Sequence, residues 1–120
     1  MSEARTAFVA FHYAEKIKTS LIVASNLLQA LKSLKEEAEI AGAEKLLAAY
    51  FGAVTVEVNI AANASQIGGF RSIAVKLQEA AEKTRRHNYA DAEKLVSEAI
   101  TVATTHGSEA AKTLEEKSLI

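Results

Sequence analysis

Along the first forty residues, apolar side chains return at every third or fourth position: Ala7, Ala10, Phe11, Ala14, Ile17, Leu21, Ala24, Leu28, Leu31 and Ala38. Residues three and four apart stack on the same side of a helix, so this seam predicts one continuous helix with a single apolar face. Ser2 is suited to its N-cap and Glu3 to the positive end of its dipole. The stripe is interrupted at Lys35, runs to about Ile40, and meets a natural stop at Gly42.

The next segment carries two periods at once. In "AVTVEVNI", residues 53–60, Val54, Val56, Val58 and Ile60 alternate with Thr55, Glu57 and Asn59, the two-residue period of a strand. Yet Leu47, Phe51, Val54, Val58 and Ala61 lie at helical spacing through the same stretch. No other segment alternates convincingly, and a lone strand leaves its backbone groups unpaired. A few tenths of a kcal/mol of helix propensity lost per β-branched residue is outweighed by roughly 2 kcal/mol for each side chain buried. The segment is therefore expected to be helical, from about Ala43 to Ile67, and to end at Gly68-Gly69. Val56 and Ile60 then form a second apolar stripe, and a helix apolar on two sides is either central in its fold or shared with another chain.

A third helix is expected from Phe70 to Arg86, with Ile73, Leu77, Ala80 and Ala81 inward. Asn88 can cap a fourth, with Asp91 in a capping-box-like position three residues on. That helix places Tyr89, Ala92, Val96, Ala99, Ala103 and His106 on one face. Gly107-Ser108 predicts its end and the start of a short fifth helix through Leu114. The expected fold is thus one all-α domain over residues 1–120, an antiparallel up-and-down four-helix bundle with a long first helix and a short C-terminal fifth helix. The first helix would reach roughly 55 Å and the second about 36 Å. Phe8, Val9 and Phe11 would then overhang, to be covered by the fifth helix or by a second subunit.

Composition supports this picture and narrows the chemistry. Alanine fills 24 of 120 positions and proline none, which favours helix throughout. Between Leu46 and Phe70 the only charged residue is Glu57, but the most apolar run, Leu46 to Val56, is about half of what a membrane span needs. A buried helix in a soluble protein is expected, with no membrane partner. Glu3, Arg5, Glu15, Lys16 and Lys18 do not read as a signal peptide. Cysteine is absent, which excludes disulfides and thiolate metal sites and fits a reducing cytoplasm. The net charge of −1 gives no overall attraction to nucleic acid.

Three histidines are the first candidates for chemistry. His12 and Glu15 share a helix face and could supply half a metal site, but no second carboxylate–histidine pair stands ready to complete it. His87 and Asp91 are four apart across a helix break, and His87 and His106 each close a helix. No metal or other cofactor is expected. Arg5 and His12, with six residues between them, resemble the Arg-x(4–6)-His motif of HEPN-type ribonucleases, which are small dimeric helical bundles. The resemblance implies catalytic Arg5 and His12, polarising the RNA backbone and transferring protons. The third helix is basic, with Arg71, Lys76, Lys83, Arg85 and Arg86, but Glu79 and Glu82 stand four residues before Lys83 and Arg86 and are expected to pair with them. The stretch "NYADAEKLVSEAI", Asn88–Ile100, is similar to the second helix of a tetratricopeptide or MIT-type hairpin, although Lys76 and Lys83 occupy positions where that pattern has large residues. Glu36, Glu37, Glu39 and Glu44 form an acidic end expected to lie in solvent.

The expected function is that of a non-catalytic structural or adaptor protein. It self-associates as a dimer or tetramer, with Phe8, Phe11, Val56 and Ile60 at the interface, and offers helical surface to a protein partner. A nucleic-acid-binding or nucleic-acid-processing protein would use Arg5, His12, Lys83, Arg85 and Arg86. A third option is a small apolar ligand held between alanine-rich helices.

Overall fold

The computed structural model describes residues 3–120. They form four helices, α1 (Glu3–Lys32), α2 (Glu37–Ser65), α3 (Gly69–Arg85) and α4 (Tyr89–Glu116), with no strand among the described residues. The N-cap expected at Ser2 lies outside them. Short connections make neighbours antiparallel. α1 packs on α2 and α4, α3 packs on the same two, and the diagonal pairs face each other across the shared core without close backbone approach.

The apolar seam of α1 is buried as read: Ala7, Ala10, Ala14, Ile17, Leu21, Ala24, Leu28 and Leu31 face the interior. The helix nevertheless stops at Lys32, not at Ile40. Ser33 Oγ donates to the Ala30 carbonyl at 2.6 Å and the Leu34 amide bonds Leu31 O, so the chain turns where the polar Lys35 would have broken the stripe. Glu36 is extended and α2 begins at Glu37, with Glu37 and Glu39 in its first turn beside the positive end of the dipole. Gly42 lies inside α2 and ends nothing. With α1 at 30 residues and α2 at 29, the predicted length mismatch disappears.

The "AVTVEVNI" segment is helical. Val54 and Val58 are buried in the core while Val56 and Ile60 are exposed, so the alternating residues divide between two sides of α2. Thr55, also buried, satisfies its hydroxyl on the Phe51 carbonyl at 2.8 Å. α2 is long and apolar enough to cross a membrane by length and composition, yet only 39% of its most apolar window is buried within the chain.

The predicted fifth helix does not form as a separate element. α4 runs unbroken through Gly107-Ser108 to Glu116. Gly107 is buried against α1, where a Cβ would stand 3.3 Å from the Cβ of Ala14, so its lack of a side chain serves close packing and not a turn. The last turns of α4 place Ala110 and Leu114 against Ala7 and Ala10, forming a small second cluster that Phe11 and Ile67 flank. This covers part of the N-terminal stretch, and the end of α4 does so, not a separate helix.

Half of the buried apolar residues are alanine, so the helices lie close and a few large side chains, led by Phe51, Phe70, Ile17, Leu21 and Leu77, fill the middle. Three helix ends use a non-glycine residue at positive φ: Gln66, His87 and Ser118. After α3 the Asn88 amide bonds Lys83 O and the His87 amide bonds Thr84 O, a left-handed helix stop usually reserved for glycine.

Candidate functional site

The outer sides of the bundle differ in kind. On α3 and α4, Lys76 pairs with Glu98 at 3.5 Å, Lys83 with Asp91 at 3.7 Å, and Glu82 takes both Arg85 (3.3 Å) and Arg86 (3.1 Å). The expected Glu82–Arg86 pair forms; Lys83 reaches across to α4 and not back to Glu79. On α1 and α2, by contrast, large apolar side chains stand in solvent: Val23 at 40%, Leu27 at 40%, Leu46 at 75%, Val56 at 60% and Ile60 at 53% exposure.

Register between α1 and α2 is set by Tyr50, whose hydroxyl donates to the Ser20 carbonyl at 2.9 Å. That puts the uncharged part of α1, Thr19 to Leu31, alongside the uncharged part of α2, Leu46 to Val56. Leu27 and Leu46 thereby reach opposite rims of one groove, whose lining also includes Ala30, Leu34, Ala43 and Tyr50. Glu57, the one charge in the middle of α2, has an Oε1 atom that is buried without a hydrogen-bond partner among the described residues. Of the interface residues read from the sequence, Phe8 is 48% exposed, and Val56 and Ile60 project outward. Phe11 is half-buried against the cluster shared with α4, so it belongs to packing within the chain. The sequence reading missed Val23, Leu27 and Leu46. Their signal was present in the uncharged runs, but the break at Lys32 decides which positions face out.

The alternative nucleic-acid residues are not brought together. Arg5 and His12 lie near the start of α1, whereas Lys83, Arg85 and Arg86 lie at the end of α3, which runs parallel to α1 toward the far end of the bundle. His12 is exposed, packed edge-on to the Tyr13 ring. Glu15 pairs with Lys18 at 3.2 Å. No group of three or more metal-ligating side chains gathers among the described residues.

A polar cluster that the sequence did not announce sits where the α3–α4 turn meets α2. Glu44, read as part of an exposed acidic end, is buried. One carboxylate oxygen lies 2.6 Å from His87 Nδ1 and also accepts a hydrogen bond from the Tyr89 hydroxyl. Burial, the hydrogen bond to Glu44 and the adjacent negative charge push Tyr89 up to about 12, keeping its proton in place. His87 reaches Glu44 from its left-handed backbone position at the end of α3, and Asn88 caps α4 by accepting from the Asp91 amide. His106 does not close a helix. It lies within α4 with Nε2 against the α-carbon of Gly69, where a Cβ would meet it at 1.8 Å. Only a glycine at the start of α3 admits that ring.

These features define an all-helical, four-helix bundle. No family model matches the chain, and no curated protein or solved structure is significantly similar to it.

Proposed function

We propose that this chain is a non-catalytic structural or adaptor protein that self-associates through the α1–α2 face and leaves the charged α3–α4 face for a protein partner. The observation that carries this reading is the exposure of Val23, Leu27, Leu46, Val56 and Ile60 on α1 and α2, with Leu27 and Leu46 lining one groove, set against the ion-paired surface of α3 and α4. Single apolar residues are normal on any surface, but five exposed on two adjacent helices, two of them around one apolar groove, are of the kind that partners cover. The polar groups are engaged in holding helices together. Glu44, His87 and Tyr89 bond one another, and Lys32 and Gln29 of α1 both bind Glu93 of α4. Among the described residues no open, convergent arrangement of nucleophile, base and oxyanion donor accompanies them.

The test is absolute molar mass by light scattering over a wide concentration range. A mass of two or more chains for the native protein, reduced by Val56→Glu with Ile60→Glu while the helical signal and melting temperature hold, supports the reading. A monomer at every concentration removes it.

A further inference from the structure

The buried Glu44 carboxylate has two oxygens, and the polar cluster uses one of them. Oε2 meets both His87 and Tyr89, whereas Oε1 has no hydrogen-bond partner among the described residues. The Glu44 side chain is only 10% exposed, so that oxygen has little water to turn to. It is nevertheless not sealed in, since Glu57 Oε1 is the one side-chain atom among the described residues that is both fully buried and unpartnered. Glu44 lines a cavity of about 480 Å³ between α2 and the end of α3, together with Ala41, Lys45, Ala48, Ala49 and Arg85. Small-molecule sites commonly have roughly 300–1,000 Å³.

Charge in this cavity is divided. Lys45 makes no ion pair among the described residues, and Arg85 pairs with Glu82 at 3.3 Å and not with Glu44. A carboxylate and two cations therefore line one space without neutralising each other. Ala48 and Arg85 also line a second hollow, of about 250 Å³, which opens on Phe51, Gly52, Leu77 and Ala81 with Gln78 beside them. Phe51 and Leu77 are fully buried and give it an apolar floor, and a Cβ at Gly52 would meet nothing within 4 Å.

We propose that the two hollows bind a free amino acid with an apolar side chain. Its ammonium meets Glu44 Oε1, its carboxylate lies between Lys45 and Arg85, and its side chain enters the second hollow. A bare anion would be repelled by Glu44 and a bare cation by Lys45 and Arg85, whereas a molecule carrying both charges on one carbon answers all three. The ammonium supplies the donor that Oε1 lacks, and hydrogen bonds between ionised partners are the strong ones. The site lies between α2 and α3 and goes beyond the self-association reading, on which it does not depend.

Calorimetric titration of the full chain with leucine, isocaproate and isoamylamine is the test, because the three share an apolar tail and differ in their charged groups. Leucine should bind about 10-fold or more tightly than either one-charge analogue, the effect of one charged hydrogen-bonded group. Lys45→Gln should weaken leucine and isocaproate alike and leave the melting temperature unchanged, since Lys45 has no ion pair to lose. Glu44→Gln should abolish the preference for leucine over isocaproate. Where that change also loosens the fold, Ala48→Leu, which fills the junction of the two hollows, should abolish leucine binding without touching the polar cluster. No binding of leucine, binding no tighter than that of either analogue, or binding that Lys45→Gln or Ala48→Leu leaves intact overturns the assignment. Molar mass decides self-association separately in every case.

Discussion

The α1–α2 and α3–α4 faces are built from the same kind of helix on the same core, yet they meet solvent differently. α3 and α4 bear ion pairs within and between them, and Val75 is the one large apolar residue exposed on either helix. α1 and α2 expose seven: Phe8, Ile22, Val23, Leu27, Leu46, Val56 and Ile60. Surface ion pairs add little stability, so the charged face is not what holds the fold together. The difference shows that the inward pattern and the outward pattern are separate properties of a helix: the first specifies the bundle, and the second what the bundle can meet.

The largest loss is expected from damage to the core that the two faces share. Phe51 is fully buried in the common core, and Phe51→Ala should cost about 3–5 kcal/mol in chemical denaturation. Loss of helical signal in one transition confirms a shared core, whereas a surviving α3–α4 intermediate would mean the faces rest on separate ones. Next in size is Glu44, which joins α2 to the α3–α4 turn. Glu44→Ala removes the acceptor from both His87 and Tyr89 and should cost about 2 kcal/mol by the same measurement.

The same cluster sets an alkaline limit. Tyr89 titrates higher in the folded chain, at about 12, than the usual value of 10.0, so the folded state holds its proton more tightly than the unfolded state. Its contribution is fully present below pH 10 and is lost as pH rises through about 12. The stability difference between the native chain and Tyr89→Phe should accordingly shrink between pH 9.5 and pH 12, roughly the span of the two values. A constant difference would detach Tyr89 from Glu44.

The smallest effects separate the faces most cleanly. Lys76→Ala on the α3–α4 face and Val56→Glu on the α1–α2 face should each change stability by no more than about 0.5 kcal/mol. Light scattering should distinguish them, with Val56→Glu lowering the molar mass and Lys76→Ala leaving it alone. Equal responses would remove the distinction between the faces.

Much of the architecture was legible because burial is periodic. The α1 seam, the helical reading of "AVTVEVNI" and the Asn88 cap all follow from spacing and local chemistry. Glycine misled twice. Gly42 and Gly107 look like punctuation, yet one sits in the open side of α2 and the other relieves crowding against Ala14, and neither role has a local signature. The true stop after α1 falls at Ser33, whose hydroxyl bonds the Ala30 carbonyl, where no glycine stands. Glu44 looked like one of four acids at a hairpin, and only the meeting of α2 with the α3–α4 turn, more than forty residues later, distinguishes it. The exposed apolar set was half legible, through Val56 and Ile60. Its α1 half required knowing where α1 ends and how Tyr50 sets the register.

The small cluster where the start of α1 meets the end of α4 has a consequence for how the protein breathes. There Ala7, Ala10, Ala110 and Leu114 form the buried contact among the described residues, with Leu114 its one large side chain. That end has too little apolar contact to share the full stability of the middle, so it should open locally without the rest unfolding. Amide hydrogens of residues 7–11 and 110–114 should exchange with deuterium well before those of Leu21, Leu77 and Val96. The bundle would then have a soft end and a firm end, and its firm end is the one tied by Glu44.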